Sequence, residues 1–310
     1  MLADQSGDFF GTTLTGGGGT ACSGYGCGTV FKLASNGTET VLYPFQGDSD
    51  GRFPQGSLIA DADGNLYGMT SEGGNYNGSP CSEFGCGTVF EVQPNGNKTT
   101  LYEFQGGSDG ALPVGGVIAD ASGNLYGTTS SGGGAGCLGG GCGTVFKLTP
   151  DGTETVAYAF QGGSDGQFPE AGLIADGAGN LYGTTLLGGA SGEGTVFEVS
   201  PTGQETVLYS FKGGNDGANP QAPLIMDGKN NFFGTTYGGA GSGCRKNSSF
   251  IGCGTVFELS PNGVETVLYS FSKAQGDRPA AGLLFGAHAA LYGTTTSGGS
   301  HKKGVIFELK

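Results

Sequence analysis

The chain has 310 residues, a formal net charge of −14 and only 13 basic residues, which are scattered along it. Nucleic acids and anionic membrane surfaces attract basic patches, so this charge balance argues against both as partners. No apolar run reaches the ~18 residues that a membrane-spanning helix needs. Glycine accounts for 68 residues, tryptophan is absent, and no amphipathic helical period is evident, so the composition predicts an all-β fold.

Two short motifs recur six times along the chain, as at residues 123–129 (Gly-Asn-Leu-Tyr-Gly-Thr-Thr) and 143–148 (Gly-Thr-Val-Phe-Lys-Leu). A long, regular period of this kind predicts a repeat architecture. One phenylalanine marks the second motif of every copy: Phe31, Phe90, Phe146, Phe197, Phe257 and Phe307. We assign all copies to a single domain, 1–310, with approximate repeat bounds 1–56, 57–115, 116–171, 172–222, 223–281 and 282–310.

Each copy reads as four short strands, A to D. In the third copy, Val156, Tyr158 and Phe160 of strand D alternate toward one face. Tight glycine turns join A to B and C to D, whereas a long glycine-rich loop joins B to C. The strands of this copy are predicted at 116–120, 124–129, 143–148 and 154–160.

This pattern predicts a six-bladed β-propeller of four-stranded antiparallel blades, because stacked blades bury faces that a lone blade exposes. An open β-solenoid is the alternative. The sixth copy has no strand D before Lys310. The last blade is therefore expected to have three strands, unless the chain is part of a longer repeat array.

The loops at the two ends of each predicted blade differ in length. The A–B and C–D turns are tight, whereas the B–C loops and D-to-A connections carry every long or unusual segment. Functional residues concentrate on loops above a rigid scaffold. The end with the long segments is therefore the candidate functional face.

All eight cysteines lie in the B–C loops, as the pairs Cys22/Cys27, Cys81/Cys86, Cys137/Cys142 and Cys244/Cys253. The short loops of copies four and six lack both members of a pair. Because the long loops have both cysteines and the short loops have neither, the pattern predicts a disulfide within each long loop. Each disulfide would stabilise the fold by about 2 kcal/mol through closure of a small ring. Metal binding is the alternative, but Cys-x4-Cys without a neighbouring Cys or His is not zinc spacing. Disulfides indicate an oxidising compartment.

An acidic residue beside glycine recurs in the D-to-A connections. A carboxylate that caps its own turn is the structural interpretation, and a ring of carboxylates that binds Ca²⁺ or sugar hydroxyls is the functional one. One Asp per loop falls short of the roughly six to eight oxygen ligands of Ca²⁺, so calcium would need help from the B–C loops. The candidate ligand-binding residues are Asp50, Asp109, Asp165, Asp216, the aromatics Phe53 and Phe168, and Asp277, displaced by one position.

A second recurring acid ends strand A, as at Asp120, and precedes Gly-Asn. We interpret it as the cap of the A–B turn. The loop aromatics Tyr25, Tyr76 and Phe84, like Phe53 and Phe168, are expected either to stack on sugar rings or to cover the ends of the barrel.

The candidates for catalysis are Arg245, Arg278 and His301, all in the fifth and sixth copies. No partner can be named that would make His301 a general base. Nucleophile-elbow, zinc-protease and P-loop motifs are absent from the sequence. Near-equivalent repeats favour a non-enzymatic role, because a catalytic site needs one blade to differ sharply.

The motifs Gly-Asn-Leu-Tyr-Gly-Thr-Thr, Gly-Thr-Val-Phe-Glu-Leu and Pro-Asn-Gly resemble the bacterial GloVer tandem repeat over essentially the whole chain. The run Pro-x-x-Gly-Leu-Ile-Ala-Asp-x-x-Gly-Asn-Leu-Tyr is more distantly similar to NHL and gluconolactonase-like propeller repeats. The resemblance implies export to a secreted or surface setting, and it implies no established chemistry. The metal-binding Glu, Asn and Asp set of gluconolactonase-like propellers has no matching motif here.

The first hypothesis is a secreted or cell-surface binding or scaffold module that recognises a glycan or another extracellular partner through its disulfide and Asp-Gly loops. One alternative is an extracellular polysaccharide lyase or hydrolase with a site at the axial mouth. Another is a building block of a surface layer or filament that self-assembles through the open edge of the last blade. The chain shows no signal peptide and begins inside a strand, as expected of a piece of a longer precursor.

Overall fold

The computed structural model describes residues 1–19, 22–74, 81, 84–134, 136–241, 244 and 252–310, with the backbone alone at 138. The fold is a six-bladed β-propeller of antiparallel sheets, as predicted. Five blades have four strands and the last has three, and strands adjacent in sequence are adjacent in each sheet. Apart from short 3-10 turns, no helix occurs in these ranges, so they hold no helix long and apolar enough to cross a membrane.

The chain divides into two compact units, 1–160 and 161–310, at the boundary between blades three and four. The single domain therefore stays a prediction. The first unit holds blades one to three, with strands β1 (Leu2–Ala3), β2 (Phe9–Thr13), β3 (Thr29–Leu33), β4 (Glu39–Pro44), β5 (Arg52–Ala60), β6 (Leu66–Glu72), β7 (Thr88–Val92), β8 (Lys98–Glu103), β9 (Ile118–Ala119), β10 (Leu125–Thr129), β11 (Thr144–Leu148) and β12 (Glu154–Ala159).

The second unit holds blades four to six, the last of which ends at its third strand. Its strands are β13 (Ile174–Ala175), β14 (Leu181–Thr185), β15 (Thr195–Val199), β16 (Glu205–Ser210), β17 (Ile225–Met226), β18 (Phe232–Thr236), β19 (Thr255–Leu259), β20 (Glu265–Ser270), β21 (Leu284–Phe285), β22 (Leu291–Thr294) and β23 (Ile306–Leu309).

Aromatic rings form the contact between neighbouring blades of a unit. Phe104, just after β8, packs edge-to-face on Phe146 of β11 with 5.1 Å between ring centroids, and both rings are fully buried. The glycine of the Leu-Tyr-Gly-Thr-Thr motif makes room for the strand-C ring, because a Cβ at Gly127 would lie 2.7 Å from Phe146 Cζ. The repeated glycine and the repeated phenylalanine therefore pack directly against each other in every blade.

The A–B turns are capped as predicted. Asp120 Oδ1 accepts hydrogen bonds from the amides of Ser122 and Asn124, and its Oδ2 accepts from Asn124 Nδ2 and Tyr126 Oη. Burial alone would raise the pKa of the Asp120 carboxyl, but the hydrogen bonds from Asn124, Ser122 and Tyr126 together lower it. The cap is therefore a structural feature of the tight-turn end.

A bulge interrupts the alternation predicted for strand D. Phe146 pairs with Val156, whereas its neighbour Val145 pairs with Tyr158, so Ala157 is skipped. The prediction that Val156 and Tyr158 follow one strict period-2 pattern is wrong here, because the extra residue turns the rest of the strand. The same register shift occurs in all five four-stranded blades.

Paired threonine hydroxyls close each four-stranded blade at the loop end. Thr129 Oγ1 and Thr144 Oγ1 lie 2.8 Å apart, both side chains are fully buried, and Thr129 Oγ1 also donates to Ser131 O at 2.9 Å. The Thr144 amide completes the set by donating to Thr129 Oγ1. In blade six, Val305 takes the place of Thr144, and its amide still donates to the Thr295 hydroxyl.

Candidate functional site

The B–C loops and the D-to-A connections are tied together by backbone hydrogen bonds. The Leu112 amide donates to Cys86 O at 2.8 Å, and Leu112 O accepts from the Ser130 amide at 3.1 Å. Leu112 holds a positive φ of +56° although it is not glycine. Such strained backbone persists only where its surroundings fix it. The same conformation recurs at its counterparts Phe53, Phe168, Asn219 and Arg278, so the five connections share one local backbone form.

The Asp-Gly carboxylates cap their own connections. Asp109 Oδ2 accepts from Tyr102 Oη at 3.0 Å and from the Gln105 amide at 2.8 Å. Burial, together with the adjacent Asp109 carboxylate, raises the pKa of Tyr102. Asp50 and Asp216 make the same two bonds in their own connections. These contacts match the structural interpretation, and the ligand-binding role of these residues stays a prediction.

The fifth connection departs from this pattern. Asp277 forms a β-bridge with Ser297, as Ala111 does with Ser131, so Asp277 occupies the position two residues beyond that of Asp109. The acid is thus displaced by two positions rather than the one inferred from the sequence. Asp277 is buried, and its Oδ2 accepts from Ser297 Oγ at 3.1 Å.

The three candidates for catalysis lie in different surroundings. The Arg278 guanidinium carbon is 5.3 Å from the centre of the Tyr237 ring, and its Nε is 3.8 Å from Asp277 Oδ1. His301 is exposed and makes no hydrogen bond or ion pair with any residue that the structure describes. Arg245 lies outside the described residues.

The four predicted disulfides are confirmed: Cys22–Cys27, Cys81–Cys86, Cys137–Cys142 and Cys244–Cys253. Within the described ranges, the one set of three side chains spaced for a metal ion is Cys244, Cys253 and Asp277. Because both sulfur atoms are joined in the disulfide, this set offers no thiolate ligand.

A pocket of about 400 Å³ opens in the first unit, where the B–C loops of blades two and three meet the connection between them. This is the face predicted from the loop lengths. Glycine backbone forms most of its floor, and Phe84, Leu112 and Cys81 supply apolar walls. Glu72 and Ser131 add polar groups at its edge. A concave, mainly apolar surface with a few polar groups is the usual form of a small-ligand site.

Arg52 contacts Phe84, the aromatic side chain in the lining of this pocket. Its guanidinium carbon lies 4.7 Å from the Phe84 ring centre and 5.4 Å from that of Phe53. Arg52 Nη2 is 2.8 Å from Glu72 Oε2 but off the hydrogen-bond direction, so the contact is an ion pair. Arg52 is 7% exposed, whereas Phe84 is 52% exposed. A buried cation thus holds an aromatic ring that faces solvent.

Phe84 has a counterpart in the first blade. The Gly73 amide donates to Phe84 O, and in the same way the Gly16 amide donates to Tyr25 O. Both aromatics sit inside a disulfide ring, and Tyr25 is 79% exposed. In blade three, Gly140 stands at this position. The first unit therefore presents two outward-facing rings on equivalent loops. Tyr76, the third aromatic named from the sequence, lies outside the described residues.

Sequence reasoning missed two charged residues. Arg52 stands where the other connections have Ala111, Gln167, Ala218 and Asp277, so a comparison of copies would have singled it out. Glu170 follows Pro169 where the other copies have Gln55, Val114, Gln221 and Ala280. Burial raises the pKa of Glu170.

Family and structural comparisons agree with this architecture. The family model of the Gloeobacter/Verrucomicrobia repeat matches residues 1–175 and 135–310, which together span the chain. No curated protein matches the sequence significantly.

Solved structures resemble the chain at the level of the fold. A provisionally named gluconolactonase is 14% identical with a TM-score of 0.50, covering 97% of this chain and 89% of that one. A gluconolactonase from Xanthomonas campestris is 15% identical with a TM-score of 0.50, covering 85% and 74%. The extracellular domain of a provisionally named one-component system from B. thetaiotaomicron is 13% identical with a TM-score of 0.55, covering 99% and 34%.

Proposed function

The chain belongs to the Gloeobacter/Verrucomicrobia repeat family, and we propose that it is a secreted or cell-surface module that binds glycans without turning them over. The four disulfides support an oxidising, extracytoplasmic setting, because such bonds persist there. The proposed binding surface is the end of the blades that carries the disulfide-clamped B–C loops and the D-to-A connections.

The observation that carries this proposal is the exposed Phe84 ring at the glycine-floored pocket, held by Arg52 and by the Cys81–Cys86 loop. The C–H face of a sugar ring packs on an exposed aromatic face, as apolar surface does elsewhere. Glu72 and the backbone groups of the glycine floor can hydrogen-bond the sugar hydroxyls. Tyr25, on the equivalent loop of blade one, offers a second stacking position along an extended chain.

A binding screen tests the proposal. The intact oxidised protein is titrated against a panel of soluble polysaccharides, with and without EDTA, and compared with Phe84→Ala and Tyr25→Ala. Loss of one stacking ring removes about 1.4 kcal/mol, which weakens binding about tenfold. The matched control is Val264→Ala, which truncates an exposed side chain at the tight-turn end and leaves binding unchanged. Loss of binding in EDTA that only added Ca²⁺ restores would support a calcium site in the binding surface.

Product analysis of the same mixtures tests the enzymatic alternative. The gluconolactonase structures share the fold and little sequence, so they carry no chemistry to this chain. Shortened or unsaturated saccharides would contradict the proposal and direct attention to Arg278 and His301. Equal binding by the wild type and Phe84→Ala would remove the pocket from the binding site.

A further inference from the structure

One disulfide of the second unit lies beside a buried carboxylate. The two sulfur atoms of Cys244 and Cys253 and a carboxylate oxygen of Asp277 all lie within 4.8 Å of one another. Asp277 is 7% exposed, and its Oδ1 accepts no hydrogen bond from any residue that the structure describes. Arg278 Nε is 3.8 Å from this oxygen, beyond hydrogen-bond distance. A buried carboxylate oxygen in this state has room for a further positive charge.

The backbone fixes two of these three groups. The Arg278 amide donates to Cys253 O at 2.9 Å and so joins the fifth connection to the cysteine loop. Asp277 forms its β-bridge with Ser297, whose Oγ donates to Asp277 Oδ2 at 3.1 Å. Gly241 packs on the sulfur, since a Cβ there would lie 2.9 Å from Cys253 Sγ. Cys253 and Asp277 are therefore positioned before any ligand binds.

The other three disulfides lack such a carboxylate. In blade two, the Leu112 amide donates to Cys86 O just as the Arg278 amide donates to Cys253 O. The residues that precede the donor beside the other three disulfides are Arg52, Ala111 and Gln167. Within the described ranges, two sulfur atoms and a carboxylate therefore converge at this loop alone.

We propose that reduction of Cys244–Cys253 opens a site for a thiophilic divalent cation, of which Zn²⁺ is the representative. A dithiol supplies the two electrons. The S–S bond breaks, each sulfur takes up one electron and one proton, and the dithiol closes into its own disulfide. The cation then displaces the two thiol protons and is bound by both sulfur atoms and by Asp277. These ligands fill three positions of a tetrahedral zinc ion and leave the fourth open.

The charges of the reduced loop favour a divalent ion. Two thiolates and the Asp277 carboxylate would be neutralised by one Zn²⁺ together with the neighbouring Arg278 guanidinium. Thiolate ligands select zinc over calcium and magnesium, which take oxygen ligands. While the disulfide is closed, neither sulfur is a thiolate. Binding is therefore confined to the reduced protein.

A cobalt titration tests the proposal, because Co²⁺ bound to a thiolate gives charge-transfer absorption. The intact protein is reduced with dithiothreitol, freed of reductant without air, and checked for β structure by circular dichroism. We expect one tight site in the reduced wild type and none in the oxidised protein, with Zn²⁺ displacing Co²⁺. Asp277→Asn should weaken binding at least about tenfold, because it removes a ligand.

The matched control is the corresponding loop of blade two, which has no carboxylate beside its disulfide. The double variant Cys81→Ser, Cys86→Ser should keep the tight site in the reduced protein. The double variant Cys244→Ser, Cys253→Ser should abolish it, although six other thiols remain.

A second arm of the experiment needs no reductant. The single variant Cys244→Ser leaves Cys253 as a thiol while the other three disulfides stay closed. This variant should bind Co²⁺ through Cys253 and Asp277. Adding Asp277→Asn to it should weaken binding at least about tenfold.

Three results would overturn the proposal. One is a folded, reduced wild type that binds no Co²⁺, or binds it no more tightly than Asp277→Asn does. Another is loss of the tight site in both double-serine variants. The third is equal binding with and without Asp277→Asn in the Cys244→Ser variant, and this comparison decides the question if reduction unfolds the wild type.

Discussion

Three glutamates at the start of strand D lie beside an aspartate of the preceding connection. The pairs are Glu154 with Asp109, Glu205 with Asp165 and Glu265 with Asp216. Burial, and then repulsion by the aspartate, raises the pKa of each glutamate to about 7. In blade two, Lys98 holds this position, and its Nζ lies 3.1 Å from Asp50 Oδ1. Glutamine in place of each glutamate removes the negative charge that repels the neighbouring aspartate. In blade two this repulsion does not arise, because Lys98 places a positive charge beside Asp50.

The sign and size of the effect follow from the pKa of the folded state. The pKa of each glutamate is about 7, against an ordinary 4.5. For a group fully shielded from water, this difference would change the free energy of unfolding by ~3.4 kcal/mol between low and high pH. The side chains are only half-buried, so screening by water leaves roughly 1.5 kcal/mol per glutamate. Because the pKa of each glutamate is raised in the folded state, the free energy of unfolding is highest below pH 4.5. It falls as the pH rises to about 7, where the folded glutamates ionise.

Urea unfolding at pH 5 and pH 8 checks this reasoning. The wild type should lose stability between these pH values, and the triple variant Glu154→Gln, Glu205→Gln, Glu265→Gln should recover roughly 3–5 kcal/mol of that loss. Lys98→Gln is the control, because it breaks the ion pair with Asp50 at the same position of blade two and leaves the three glutamates in place, so the pH dependence should stay that of the wild type. An unchanged pH dependence in the triple variant would refute the reasoning.

Two further predictions concern the loop end of blade three. Thr129→Val should lower the free energy of unfolding by about 2–3 kcal/mol, because it removes the oxygen that accepts from both the hydroxyl and the amide of Thr144 and one of the two donors to Ser131 O, whereas Thr144→Val should cost only about 1 kcal/mol. Equal losses in urea unfolding would contradict the assigned hydrogen-bond directions. Replacing both Cys137 and Cys142 by alanine should cost about 2 kcal/mol under oxidising conditions and nothing in reductant, as read from the difference between the two unfolding curves.

The strands, tight turns and disulfides were predictable because their signals are local. The turn cap at Asp120 needs only its own Asn124 and Tyr126, and each cysteine pair lies within one loop. Because the same motifs recur six times, the strands assigned in one copy could be assigned in the other five. The bulge at Ala157 was missed because alternation alone carries no mark of an extra residue.

The candidate site was less predictable because its contacts join separate copies. Lys98 and Asp50 are 48 residues apart, and Arg52 reaches Phe84 from a different connecting segment. The displacement of Asp277 by two positions follows when the connections are aligned on their prolines, and its bridge to Ser297 confirms it. A position-by-position comparison of the copies finds such exceptions, but the side chain that each one meets is set by the packing of neighbouring blades.

In the proposed binding site, a sugar ring stacks on Phe84. Saturation-transfer NMR tests this most directly, with the tightest oligosaccharide from the panel, irradiation of aromatic protons, and a comparison of the wild type with Phe84→Ala. The expected result is transfer to sugar C–H protons that is strong in the wild type and weak in the variant, with the sugar spectrum unchanged over time. Equal transfer in both proteins, or new saccharide signals during the measurement, would contradict it.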